Sequence, residues 1–295
     1  MQTRHLGPFR VSAIGLGAMP MSMNNDKSYP EESQAVATIH AALDSGITLI
    51  DTADIYAPTW DSMGHNEKIV GKAVASYGGN TDDVVIATKG GITRSEGNVF
   101  GRNATMSYLR EAVEKSLRNL GVDVIDLYQW HRPDRSMVYA DAITNFKQLR
   151  DEGKIKAVGI SNANVEEIQI AIDVLGEDGL VSVQNEFSPK FRCSEKELDF
   201  CAERGIAFLP WSPLGGTGGG ARDVGERFAV FAEIGRDHGV SPQQVVLAWE
   251  LSLDECVIPI PGARRPESII DSAKAADLKL SDEELQRCSA TGGMR

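Results

Sequence analysis

Leu49-Ile50-Asp51-Thr52-Ala53-Asp54-Ile55-Tyr56 sets a short apolar run directly against a cluster of ionisable and hydroxyl groups. The run starts at Ile47 and Thr48 and is rich in β-branched residues, the composition of a strand buried on both faces. Such a strand presents its chemistry at its C-terminal end, where Asp51, Thr52, Asp54 and Tyr56 stand here. Two later stretches repeat the pattern: Val84 to Thr88 ends in Lys89, and Val124 to Trp130 ends in His131. Asp, Tyr, Lys and His at successive strand ends form a proton-handling set and point to an enzyme.

Outward from this stretch the chain alternates between strand and helix. Thr3 to Met19 reads as two short strands turned at Gly7-Pro8, followed by a first inner strand at Ile14 to Gly17. Helical spacing follows at residues 31–45, 67–77, 108–120, 139–150, 165–175 and 195–203. Between these helices lie strands near 84–88, 125–130, 155–160, 181–185 and 206–211, with a last strand over 257–260. Helices at 228–238 and 242–252 precede that last strand, the second opened by Ser241-Pro242 as N-cap and first-turn residue. Two more, at 266–276 and 282–289, close the chain. Strands alternating with helices imply parallel pairing and right-handed crossovers. Eight such strands predict a (β/α)8 TIM barrel, as one domain over residues 1–295, with an N-terminal β-hairpin closing the bottom and extra C-terminal helices. An open doubly wound sheet is disfavoured, because Ile14-Gly15-Leu16-Gly17-Ala18-Met19 lacks the third glycine of a dinucleotide fingerprint. The glycine-rich run Gly215 to Gly220 reads as a mobile loop after the seventh strand or a flap over a ligand.

Composition narrows the function classes. A net charge of −12, from 30 Lys plus Arg against 42 Asp plus Glu, argues against nucleic acid or an anionic membrane as partner. It leaves room for a small anion held by local arginines. The apolar runs are too short and too soon interrupted by charge for a signal peptide or membrane span. Cys193, Cys201, Cys256 and Cys288 form neither a C-x-x-C nor a Cys/His metal pattern, as expected of reduced thiols in a cytoplasmic protein.

The site residues carry a specific chemistry. A phenol donates a proton poorly, with an ordinary pKa near ~10, and a neighbouring ammonium stabilises its phenolate and lowers that value. Lys89 on the next strand is placed for this beside Tyr56, with Asp51 keeping the lysine charged. His131 is placed to donate to a carbonyl or relay a proton. Asp51, Asp54, His131 and Asp134 also allow a metal-dependent hydrolase, but only one of the five histidines ends a strand, so no metal is expected. Ser161 and Ser212 end strands outside any nucleophile-elbow motif and read as hydrogen-bond donors to a ligand. With Asn162, Gln184 and the Trp211 indole they suit a carboxamide on a flat ring. Arg264 and Arg265 before the helix at Pro266 suit a phosphate.

Taken in order, DTADIY, ATKGG, DLYQWHRPD, GISN, WSPLG and IPGARRPE resemble the aldo-keto reductases over nearly the whole chain. The resemblance implies a barrel that binds NADP(H) across its mouth without a Rossmann domain. It implies a catalytic tetrad of Asp51, Tyr56, Lys89 and His131, with Tyr56 as general acid in reducing a small-molecule aldehyde or ketone to its alcohol. It assigns Ser161, Asn162 and Gln184 to the nicotinamide carboxamide, and Trp211 to stacking in place of the usual tyrosine. Ser212, Pro213 and Leu214 fall to the pyrophosphate, and Gly262, Arg264 and Ser268 to the 2′-phosphate. Asp271-Ser272 replaces the frequent Glu-Asn at the adenine, and Gly17 and Met19 join the cofactor side through the first strand-to-helix turn. Trp60 and Trp130 are expected in a substrate pocket of hydrophobic character. The competing expectation is a cofactor-sensing regulatory subunit on the same barrel, as in the potassium-channel β subunits that resemble these reductases.

Overall fold

The protein is described from a computed structural model over residues 1–216 and 220–293. The expectation attached to the middle of the glycine-rich run, residues 217–219, lies outside the described residues.

β1 (Thr3–Leu6) and β2 (Phe9–Ser12) pair antiparallel around Gly7-Pro8. The chain then runs β3 (Leu16–Gly17), α1 (Glu32–Asp44), β4 (Leu49–Asp51), α2 (His65–Ser76) and β5 (Val85–Gly90). A second antiparallel hairpin, β6 (Ile92–Ser95) with β7 (Val99–Arg102), precedes α3 (Met106–Leu120). Next come β8 (Ile125–Trp130), α4 (Tyr139–Asp151), β9 (Ile155–Ser161), α5 (Val165–Leu175), β10 (Leu180–Gln184), α6 (Glu195–Ala202) and β11 (Ala207–Phe208). Five helices finish the described chain: α7 (Gly220–Arg227), α8 (Ala229–His238), α9 (Pro242–Leu253), α10 (Pro266–Lys274) and α11 (Asp282–Ser289). The Ser241 hydroxyl caps α9 by accepting from the Gln244 N–H at 3.1 Å, with Pro242 in the first turn, as expected.

Seven parallel strands follow one another in the order β11-β10-β9-β8-β5-β4-β3. The eighth position forms no regular ladder, because Pro259 and Pro261 have no N–H to donate. Residues 256–262 nonetheless join both edges. Phe208 N–H donates to the Cys256 carbonyl and Ile258 N–H to the Phe208 carbonyl, each at 2.8 Å. On the other side Gly15 N–H reaches Pro259 O at 2.9 Å and Gly17 N–H reaches Pro261 O at 3.0 Å. A Cβ on Gly17 would lie 2.8 Å from the Ile260 carbonyl oxygen, so only glycine lets the first and last strands meet here.

Side chains alternate across the barrel wall, as strand geometry requires. Leu49, Val85, Ala87, Leu127, Ala157, Leu209 and Ile258 fill the interior, while Ile50, Ile86, Tyr128, Val158 and Ile160 pack outward in the larger core shared with the helices. Leu6 and Val11 of the first hairpin enter the interior cluster, and Gly7 abuts Val181 at the start of β10. The hairpin therefore closes the N-terminal, bottom end and leaves the mouth at the strand C-termini open.

β10 departs from simple alternation. Its register against β9 shifts between Leu180 and Ser182, a β-bulge. Val181 faces the interior before the bulge, and Val183 faces outward after it. The extra residue turns Gln184 inward, into the mouth of the barrel.

Candidate functional site

The alternation that buries Leu49, Ala87 and Leu127 carries on up the same strands and turns Asp51, Lys89, Gln129 and His131 into the mouth. Asp51, fully buried, accepts three side-chain hydrogen bonds: from the Lys89 ammonium at 2.5 Å on Oδ1, and from Gln129 at 3.1 Å and Gln184 at 2.8 Å on Oδ2. Lys89 also donates to the Thr52 carbonyl at 2.8 Å. A carboxylate with this many donors is locked in orientation. Burial alone pushes Lys89 down, but Asp51 and the Tyr56 oxygen outweigh it and raise the ammonium above its ordinary value.

Tyr56 is buried with its ring centre 5.3 Å from the Lys89 nitrogen. Burial raises the phenol pKa, and the Lys89 charge offsets this only in part. The net shift is thus upward, the reverse of the sequence expectation. The reason is desolvation: a fully buried phenolate loses more from leaving water than one ammonium returns. The His131 ring stands edge-on to Tyr56, centroids 5.6 Å apart at 85°. Burial, reinforced by the charges of Lys89, Arg132 and Arg102, holds His131 well below its ordinary pKa, so the imidazole is neutral. Its Nδ1 is buried without a hydrogen-bond partner.

These groups sit at the floor of a cavity of about 1060 Å³, at the large end for a small-molecule site. Asp51, Tyr56 and His131 line it, whereas Lys89 lies wholly behind them. Gly17, Met19, Ser161, Asn162, Gln184, Trp211, Ser212, Pro213, Leu214, Gly262, Arg264 and Ser268 line it too. Asn162 and Ser212, beyond β9 and β11 on either side of β10, adopt the left-handed backbone region at φ 59° and 55°, strain of the kind found at binding sites. Asn162 donates to the His131 carbonyl at 3.0 Å, and Ser161 donates to the Gln184 carbonyl at 2.7 Å, tying the floor together.

Four expected residues stand elsewhere. Trp130 is buried on the outer face of β8 against Tyr139 and Phe146, because it neighbours His131 and must face the opposite way. Trp60 is exposed on a short 3-10 turn outside the cavity lining. The Asp271 carboxylate is held by Ser241 and Gln244, each at 2.6 Å, and Ser272 donates back to the Ser268 carbonyl within α10. Residues not singled out in the sequence also contribute: Gln129 clamps Asp51, and Phe100, Arg102, Arg132 and Arg222 line the cavity. Inward parity along β8 would have found Gln129.

Among the described residues no cluster of three or more His, Cys, Asp or Glu side chains is arranged to hold a metal. No helix of the described chain is long and apolar enough to cross a membrane.

A barrel whose mouth gathers Asp51, Tyr56, Lys89 and His131 invites comparison with known proteins. The profile of the aldo/keto reductase family matches residues 13–292. This chain belongs to the aldo/keto reductase family. An uncharacterized oxidoreductase of Schizosaccharomyces pombe is 32% identical to it over 291 residues, covering 98% of this chain and 90% of the relative. A thermostable aldo-keto reductase crystallised with the inhibitor epalrestat superposes with a TM-score of 0.82 at 26% identity, covering 99% of this chain and 100% of the other. An aldo-keto reductase from Klebsiella pneumoniae, crystallised with NADPH, gives 0.80 at 28% identity, covering 98% and 94%. The parallel barrel is thus the family's scaffold, with the site at its strand C-termini.

Proposed function

We propose that this aldo/keto reductase uses NADPH to reduce an aldehyde or ketone to the alcohol, reversibly. The observation that carries the reading is the convergence of Tyr56, Lys89, Asp51 and neutral His131 on one cavity floor. The donor set fits the dinucleotide. The Trp211 indole offers a flat face with an N–H that is buried and unpartnered among the described residues, and Ser161 and Asn162 stand at the end of β9 on the same cavity. Arg264 and Arg265 stand where α10 begins, a suitable place for phosphate.

When bound, NADPH supplies the hydride to the carbonyl carbon. Tyr56, kept protonated at neutral pH by burial, donates its proton to the carbonyl oxygen as charge builds there. Lys89 stabilises the resulting phenolate and is itself held charged by Asp51. Neutral His131 gives a hydrogen bond to the same oxygen without releasing a proton of its own. Gln129 and Gln184 fix Asp51, so the lysine has one place to stand. Location in the cytoplasm accords with Cys201, Cys256 and Cys288 being buried as thiols.

The test is an aldehyde and ketone panel followed by NADPH absorbance and repeated with NADH. Oxidation of NADPH matched mole for mole by alcohol is the expected result. Tight NADPH binding with no turnover across the panel would contradict the proposal and favour a cofactor-sensing subunit.

A further inference from the structure

The cavity is unlike the molecule around it. A protein of net charge −12 lines this one space with Arg102, Arg132, Arg222, Arg264 and Arg265, against a single carboxylate, Asp51. That carboxylate is already occupied by Lys89, Gln129 and Gln184. Arg264 and Arg265 stand at the start of α10, and Arg264 donates to Ser28 across the cavity, at the end suited to the cofactor phosphates. Arg102 and Arg132 belong elsewhere. Arg132 follows His131 directly, and its guanidinium lies 5.9 Å from the centre of the Trp211 ring. Arg102 pairs with Ile92 across the β6–β7 hairpin, and Ile92 packs against Tyr56. Both cations therefore flank the reactive floor.

Neither has a carboxylate partner among the described residues. Arg102 makes one hydrogen bond, to the neighbouring Gly101 carbonyl at 2.9 Å, and neither arginine enters an ion pair among the described residues. Asp134 acts on Arg102, and Arg132 acts on Glu186, only through space, because neither pair comes within ion-pair distance. Two like charges beside a neutral imidazole repel one another, and both help keep His131 unprotonated. Two like charges held side by side cost free energy, and the arrangement becomes favourable when an anion lies between them.

We propose that the substrate carries an anionic group, a carboxylate in the simplest case, seated between Arg102 and Arg132 while its carbonyl faces Tyr56 and His131. This rests on the carbonyl-reductase reading above and names the class of substrate. It also replaces the hydrophobic pocket expected from Trp60 and Trp130. Arg132, half-buried and stacked near Trp211, is the main anchor, and Arg102, exposed at the rim, steers and supplements it.

The experiment compares 4-carboxybenzaldehyde with 4-methylbenzaldehyde, for the wild type, Arg132→Gln and Arg102→Gln. Steady-state kcat/KM is measured with NADPH. Calorimetric binding of each aldehyde is measured on the NADP+-loaded protein, where no reduction occurs. NADPH affinity is titrated separately. The wild type is expected to favour the carboxylate in both readouts. Arg132→Gln should lower that selectivity roughly tenfold and Arg102→Gln about threefold, as expected for a charge-assisted contact and a solvent-screened one. NADPH affinity should stay within about twofold, less than one such contact is worth. Equal losses for the two aldehydes, no preference in the wild type, or a parallel fall in NADPH affinity would each overturn the proposal. In the last case the pair serves the cofactor. Carboxylate-selective binding without turnover would sink the reductase reading and leave the anion site standing, whereas turnover without selectivity would do the reverse.

Discussion

At the scale of single residues the site turns on one buried ion pair. Lys89 and Asp51 are both withdrawn from water and satisfy one another, so removing one partner strands the other. Lys89→Met is expected to destabilise the fold by roughly 3–5 kcal/mol in urea unfolding. The double variant Lys89→Met/Asp51→Leu should recover part of that loss, because no orphaned charge remains. A double variant no more stable than the single would show that the pair is not what the lysine stabilises. The pH dependence follows from the two directions already given. Tyr56 must hold its proton to donate it, and its pKa is raised, so reduction should persist through alkaline pH and fall only above the ordinary phenol value of about 10. His131 is held low, so no inflection is expected near the ordinary histidine value of about 6.5. A rate profile that breaks at neutral pH would contradict both assignments. Asp51, Tyr56, Lys89 and His131 were legible in the sequence because each follows an apolar run. Trp130 suits a hydrophobic pocket by its side chain alone, but it sits next to His131 on the same strand. In a strand, adjacency means the opposite face.

At the scale of elements the barrel depends on two local devices. One is the seam between β3 and residues 256–262, where prolines interrupt the ladder and Gly17 lets the backbones touch. Gly17→Ala is expected to cost about 1–3 kcal/mol by thermal or chemical unfolding, since the added methyl meets a backbone oxygen that has little room to move. A neutral result would show the seam to be more pliable than its contacts suggest. The other device is the β10 bulge, which aims Gln184 at Asp51. Alternation counted along 180–184 gives no hint of it, because a bulge is a property of pairing rather than of one strand. The β6–β7 hairpin was also invisible. Its residues 92–102 are largely polar around Gly97, with none of the apolar alternation that marks a half-buried strand. It nevertheless brings Phe100 and Arg102 to the cavity.

At the scale of the whole molecule, eight alternating units were readable because the apolar runs end in turns and several helices carry a cap signal, such as Gly121 after α3 or Ser241 before α9. Net charge was the weaker guide: −12 over the surface coexists with five arginines lining one cavity. Another global quantity is set by Glu250, fully buried in α9 with both oxygens unpartnered and its pKa pushed well up by burial. The unfolded chain releases this proton once pH passes the ordinary glutamate value, while the folded chain keeps it, so stability falls as pH rises from there. Glu250→Gln should therefore stabilise the protein near pH 7 by roughly 1–3 kcal/mol and change little near about pH 4. Equal effects at both pH values would show that the carboxyl is not held neutral by the fold.

The central claim is that the Tyr56 hydroxyl delivers the proton in carbonyl reduction. Single-turnover oxidation of bound NADPH by a reactive aldehyde, compared between wild type and Tyr56→Phe, measures that step apart from binding and release. The account predicts a fall of roughly 10²–10⁴ in the rate, with NADPH affinity nearly unchanged. A Tyr56→Phe protein that oxidises NADPH as fast as the wild type would contradict it.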